Sequence, residues 1–206
     1  MIVAGSPVAT ITLEAVERLR VRSGVAFEGG LATAVERESR MLAAFDRALN
    51  MLALRGRSER DLRRRLVQKG ETEEAADDAI ARLAALGLLN DADFAKQFAR
   101  SKVLGPGHSK RRLQQELFRA GVSREVADGA IAGALADDDV NEAEIIERVA
   151  RKKLRTLARL DAATSRRRLY AFLARRGYDS AAIRDTIARL MSADDAEALS
   201  GEGATG

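Results

Sequence analysis

The chain has 206 residues, 46% of them apolar but only 4% aromatic, with two prolines and a formal net charge of +4. It contains no cysteine and a single histidine, His108, which excludes a disulfide framework, a thiolate metal site and a histidine metal cluster. Abundant Ala, Leu, Arg and Glu predict a nearly all-helical protein, and the absence of a basic leader or a membrane-length apolar window predicts a soluble, cytoplasmic one.

In chain order, Leu13, Val16 and Leu19 have helical spacing within residues 11–22, and Gly24 with Gly29-Gly30 interrupts it. From about Leu31 a helical period returns, with Met41, Leu42, Phe45, Ala48, Leu49 and Leu52 on one face as far as Arg55-Gly56. Ser58 suits an N-cap because its hydroxyl can accept a bond from an unpaired backbone N–H, and Glu59 and Asp61 suit the positive first turn. Gly70 is predicted to end that helix, and Thr72 to cap another that carries Ala76, Ile80 and Leu83 inward until Gly87. Asn90 or Asp91 then starts a helix with Phe94 and Phe98 inward. Gly105-Pro106-Gly107 breaks it, Ser109 starts the next, and Ser123 caps one carrying Val126, Ala130 and Ile131. A further helix opens near Asn141, with Ile145, Ile146 and Val149 leading to Leu154 and Leu157. Thr164 or Ser165 starts its successor, Gly177 ends it, and Asp179 or Ser180 opens the last helix, to Met191. The glycine-rich end of residues 192–206 reads as a flexible tail.

One pattern recurs in register through these elements: Leu62-x3-Leu66-x3-Gly70, Leu113-x3-Leu117-x3-Gly121 and Leu169-x3-Leu173-x3-Gly177, each followed ten residues later by Ile80, Ile131 or Ile187. Spacings of 51 and then 56 residues suit stacked three-helix units, each too small to hold a secure core alone. The predicted fold is therefore all-α: three tandem three-helix repeats, about nine core helices, in an elongated curved array behind an N-terminal extension. The expected divisions are an extension over 1–40, repeats over 41–89, 90–138 and 139–191, and a tail over 192–206.

The repeat also serves as a ruler for the surface. On each middle helix the two leucines lie about 40° apart and mark the buried direction, so the residue two before the first leucine points about 160° away. That residue is Arg60, Arg111 and Arg167 in turn, and the one after it is Asp61, Arg112 and Arg168. With Arg64, Lys110, Arg119, Lys152 and Arg175, these arginines make up the candidate basic face, while acidic residues concentrate in Glu71 to Asp78 and Asp137 to Glu147. Such a face suits a phosphate backbone or an acidic protein groove. The plainer alternative is a solvated surface whose local ion pairs are worth a few tenths of a kcal/mol each. Only Phe118, Tyr170 and Tyr178 are candidate exposed aromatics, too few for sequence-specific reading of single-stranded bases.

Gly105-Pro106-Gly107-His108-Ser109-Lys110 lacks the spacing and the preceding strand of a phosphate loop, and His108 reads as a solvated loop histidine. The acidic runs, Asp137-Asp138-Asp139 included, lack the alternation of a calcium loop and read as solvated connections or caps. No catalytic residue, metal ligand set or cofactor is expected.

Ala48-Leu49 with Leu52 and Arg55, then Arg57-Ser58-Glu59-x-Asp61-Leu62-Arg63-x2-Leu66-x2-Lys69-Gly70, resembles the opening repeat of the RecX family of bacterial recombinase regulators. Gly87-Leu88-Leu89-Asn90-Asp91-Ala92-Asp93-Phe94-Ala95 is similar to that family's Gly-Tyr-Leu-Asp-Asp-x-x-Phe-Ala junction. Gly105-Pro106-Gly107 and Arg112-Leu113-x2-Glu116-Leu117-x3-Gly121-Val122 follow. The resemblance covers about residues 45–191; Leu88 replaces the usual tyrosine and Asn90 the usual aspartate, and the extension is not covered.

The resemblance implies three tandem three-helix units and a non-enzymatic modulator of RecA. Such a protein binds the RecA nucleoprotein filament along its groove and suppresses ATP hydrolysis, strand exchange and coprotease activity in repair, recombination and the SOS response. The expected partners are the RecA filament and single- or double-stranded DNA without sequence preference, met by a monomer away from any membrane. The competing classes are a general helical-repeat adaptor, a non-specific DNA-binding protein and, least supported, an enzyme, for which no convergent nucleophile, base or metal cluster is present.

Overall fold

The computed structural model describes residues 2–3, 6–137 and 139–201; Met1, Ala4, Gly5, Asp138 and residues 202–206 of the expected tail lie outside them. Two-residue strands β1 (Ile2–Val3) and β2 (Ser6–Pro7) pair antiparallel, with Ile2 opposite Pro7. Everything else of regular structure is helical: α1 (Leu13–Arg18), α2 (Gly29–Leu54), α3 (Glu59–Gln68), α4 (Glu73–Ala85), α5 (Asp91–Leu104), α6 (Lys110–Ala120), α7 (Arg124–Asp137), α8 (Glu142–Arg155), α9 (Ala162–Arg175) and α10 (Ser180–Gly201). The fold is all-α, and its repeats are the triplets α2–α4, α5–α7 and α8–α10. The chain divides into two compact units, Met1–Phe94 and Ala95–Gly206.

Local chemistry sets most helix starts. Ser58, Thr72 and Ser109 each accept a backbone N–H three residues on at 3.2 Å, and Asn141 with Glu144 closes a reciprocal capping box. Asn90 accepts from Ala92 and Asp93, and Asp179 from Ala181 and Ala182. The leucine pairs Leu62/Leu66, Leu113/Leu117 and Leu169/Leu173 are all at most 1% exposed, and each such burial contributes about 1.5–3 kcal/mol relative to exposure. Gly70, Gly121 and Gly177 follow at φ of +94°, +92° and +90°, the left-handed stop that favours glycine. In the first unit, Ala44 and Ala48 of α2 and Ala75, Ala76 and Ala79 of α4 pack around Leu62, Leu66 and Leu83, with Met41, Phe45, Met51, Leu52 and Ile80 at the edge.

Several elements differ from expectation. In α5 the fully buried line is Ala95, Ala99 and Val103, and Phe94 and Phe98 lie half-buried on its flank; the small side chains take the position nearest the core. Leu49, expected inward, is 39% exposed. Helix α9 starts a turn earlier than Thr164 or Ser165, because Asp161 accepts from Thr164 N–H at 2.8 Å. Ser165, buried like Ser58 and Ser109, instead donates back to the Leu157 carbonyl at 3.2 Å. Helix α10 continues beyond Met191 to Gly201, the last of the described residues. Ahead of α2 the extension holds the two short strands and a six-residue helix, with Leu13 75% exposed, and α2 then carries it into the first repeat as one continuous helix.

One device recurs, once within each compact unit. The first N–H of α3, from Glu59, donates to the carboxylate of Asp91, the first residue of α5, at 2.8 Å. The first N–H of α6, from Lys110, donates to Glu142, the first residue of α8, at 3.0 Å. Helix N-termini leave such donors without intrahelical partners, so an acidic residue opening the next repeat both satisfies the donor and complements the helix dipole.

Candidate functional site

The outward positions of the middle helices follow the leucine ruler. Arg60 on α3, Arg111 on α6 and Arg167 on α9 are all exposed, and none has an ion-pair partner among the described residues. Of the other candidate residues, Lys110, Arg119, Lys152, Arg168 and Arg175 are likewise exposed without such a partner. Arg64 and Arg112 are not: Arg64 bonds Asp61, and Arg112 Nε donates to Glu116 at 2.6 Å.

Charge compensation falls from the first repeat to the third. Asp61 is a buried hub whose carboxylate accepts from Arg57 at 2.9 Å, from Arg65 at 2.8 Å and from Arg64. Burial pushes this carboxyl up, but the hydrogen bonds from Arg65, Arg57 and Arg64 outweigh it and hold Asp61 below the usual carboxylate range. The acidic stretch expected to be solvated is largely paired: Arg63 with Asp77 and Glu73, Arg47 with Glu71 at 2.6 Å, and Arg82 with Asp78 at 3.7 Å. In the third repeat Arg151 and Arg189 share Glu147, at 2.8 and 3.4 Å. Lys152, Arg155, Arg159, Arg166, Arg167 and Arg168 keep no carboxylate partner among the described residues and are all exposed.

The glycine-proline-glycine loop joins α6 to α9 within the second unit. Ser109 N–H donates to the Arg176 carbonyl at 3.0 Å, Arg176 Nε to the Pro106 carbonyl at 2.7 Å, and the Tyr178 hydroxyl to the Gly107 carbonyl at 3.0 Å. Arg176 also stacks on Phe172, 3.7 Å from the ring centroid. Tyr178, expected as a surface aromatic, is therefore buried, and burial raises its phenol pKa. The seam brings the start of α6, with Arg111, next to the end of α9, with Arg175; Arg167 lies further along α9, about 12 Å from Arg175 at 1.5 Å per residue.

His108 is the other departure in this loop. Its side chain is only 16% exposed, because Gly107 and Ser109 on either side are pinned to the third repeat, and its Nδ1 lies 3.5 Å from Glu116. Burial lowers its pKa, Glu116 opposes that, and Lys102, Arg112 and Arg176 reinforce it. Among the described residues no cluster of His, Asp and Glu is placed to hold a metal ion, and no helix is long and apolar enough to cross a membrane.

Sequence reasoning passed over one feature. The Asp61 hub was signalled by Arg64 and Arg65 standing three and four after it on the helix and by Arg57 four before it, just ahead of the cap. Of the aromatics expected at the surface, Phe118 is the most exposed, at 70% against 36% for Tyr170, whose hydroxyl is tied to Ser180 at 2.9 Å.

Models of the first, second and third RecX three-helix domains match this chain in order, over residues 44–83, 90–131 and 141–187. The regulatory protein RecX of Amycolatopsis mediterranei is 38% identical over 141 residues, spanning 68% of this chain and 79% of that one. That of Mycobacterium avium is 41% identical over 132 residues, spanning 63% and 74%. A crystal structure of a regulatory protein RecX shares the fold, with a TM-score of 0.69 over 90% of this chain and 92% of that one at 17% identity. With three domain models in register and relatives of this identity, the chain belongs to the RecX family of regulatory proteins.

Proposed function

We propose that this chain is a non-enzymatic regulator of a RecA recombinase. It binds the RecA nucleoprotein filament along its groove and inhibits RecA ATP hydrolysis, strand exchange and coprotease activity, thereby modulating DNA repair, recombination and the SOS response. Family membership supports the regulatory role. The observation that carries the physical side is the register of Arg60, Arg111 and Arg167, exposed at one position of three successive middle helices and without an internal carboxylate among the described residues. A guanidinium already held by a carboxylate of its own chain must give up that bond to take a phosphate or a partner's carboxylate; these three need not. The role calls for a cytoplasmic monomer with no cofactor.

The test replaces all three arginines by glutamate and measures co-sedimentation with cognate recombinase filaments. Binding should fall while helical circular dichroism stays intact; unchanged binding would assign the arginines to a solvated surface. The uncompensated cations between Lys152 and Arg168 favour a second reading, a non-specific DNA-binding protein. Such a protein would bind naked DNA and leave recombinase activity unaltered.

A further inference from the structure

The outward stripe of each middle helix has a second register position. Seven residues after Arg60, Arg111 and Arg167 stand Val67, Phe118 and Ala174, every one of them exposed. Seven residues return a helix to within about 20° of the same azimuth and advance it about 10.5 Å. Each middle helix therefore shows a guanidinium and an apolar group along one line. On α6 the apolar group is Phe118, 70% exposed, and the flanking Arg111 and Arg119 have no carboxylate partner among the described residues.

We infer that Phe118 is the apolar anchor of a protein-docking face on α6. The face fits an apolar pocket on the partner, with a carboxylate about 10.5 Å along the helix line to receive Arg111. A protein partner is favoured over nucleobases because the register position is apolar in all three repeats but aromatic in one; valine and alanine offer nothing for a base to stack on. The inference rests on the proposed filament regulation and assigns this face to the recombinase protein, leaving the DNA to the cations of the third repeat.

The test compares full-length wild type and Phe118→Ala in two titrations, one with cognate recombinase filaments and one with a naked single-stranded oligonucleotide. Circular dichroism and the unfolding midpoint are checked first; because the ring is exposed, both should be unchanged. Phe118→Ala should weaken filament binding at least tenfold and leave oligonucleotide affinity unaltered, while Phe118→Leu keeps most of the filament affinity. Equal losses in both titrations would overturn the inference in favour of base stacking. Filament binding equal to wild type would overturn this inference alone, whereas a wild-type chain that fails to bind filaments would overturn the proposed function with it.

Discussion

Replacing Gly177 by alanine separates the seam between α6 and α9 from the backbone cost of a left-handed helix stop. Gly70 and Gly177 end equivalent middle helices at φ of +94° and +90°, so an alanine at either carries the same left-handed strain, about 1–2 kcal/mol. Around Gly70 a new Cβ meets nothing within 4 Å, whereas at Gly177 it would lie 2.6 Å from Ser109 Oγ and 2.7 Å from Arg112 Cβ. Neither neighbour can yield cheaply. Ser109 Oγ caps α6 and Arg112 Cβ is fixed to that helix's first turn. Forcing a methyl into such a contact costs about 1–3 kcal/mol more, so Gly177→Ala should lose about 2–5 kcal/mol against about 1–2 for Gly70→Ala. The chain has no tryptophan and its two tyrosines, Tyr170 and Tyr178, both lie in the second unit, so tyrosine fluorescence follows that unit while circular dichroism follows both. In a unit of this size each kcal/mol lowers the thermal midpoint by about 4–8 °C. Equal destabilisation by the two variants would refute the close approach of the third repeat to Ser109 and Arg112.

Asp61→Asn should destabilise the first unit by about 1.5–3 kcal/mol at neutral pH, the worth of a hydrogen bond to a charged group. Because the Asp61 carboxyl is held low, its stabilisation is present above the ordinary range near about pH 3.9 and is lost as pH falls through the folded value, so the wild type should lose its advantage over Asp61→Asn in acid. An advantage that persists undiminished in acid would contradict the hub. Leu66→Asp or Leu117→Asp buries an unpaired charge in a fully enclosed position and should unfold the unit that holds it; a folded variant by circular dichroism would contradict the core. If the third repeat meets phosphates, log affinity for single-stranded DNA should fall with log salt by about 0.7 per phosphate neutralised, and Arg166, Arg167 and Arg168 changed to glutamine should flatten that slope.

What the amino-acid sequence disclosed was governed by interactions spanning a few residues. The leucine pairs, the glycine stops and the caps at Ser58, Thr72, Ser109 and Asn141 act within one helical turn, so spacing alone reveals them. The start of α9 is ambiguous in the sequence because Thr164, Ser165 and Asp161 are all capable caps, and the choice depends on Ser165 being buried against the Leu157 carbonyl. The glycine-proline-glycine loop read as a helix breaker, which it is, but its partners Arg176 and Tyr178 lie about seventy residues away, beyond the reach of any local pattern. Arg64 and Arg112 show the limit of an azimuthal ruler for the candidate face. It says which way a Cα points, but a long guanidinium can fold back along its own helix to a carboxylate three or four residues away.

The most direct test of the central claim is DNA-dependent ATP hydrolysis by the cognate recombinase, measured as this full chain is added to preformed filaments. Hydrolysis should fall with increasing chain and reach a plateau of inhibition when the filament is saturated. An unchanged rate at saturating chain, with binding to the filament demonstrated in the same sample, would contradict the account.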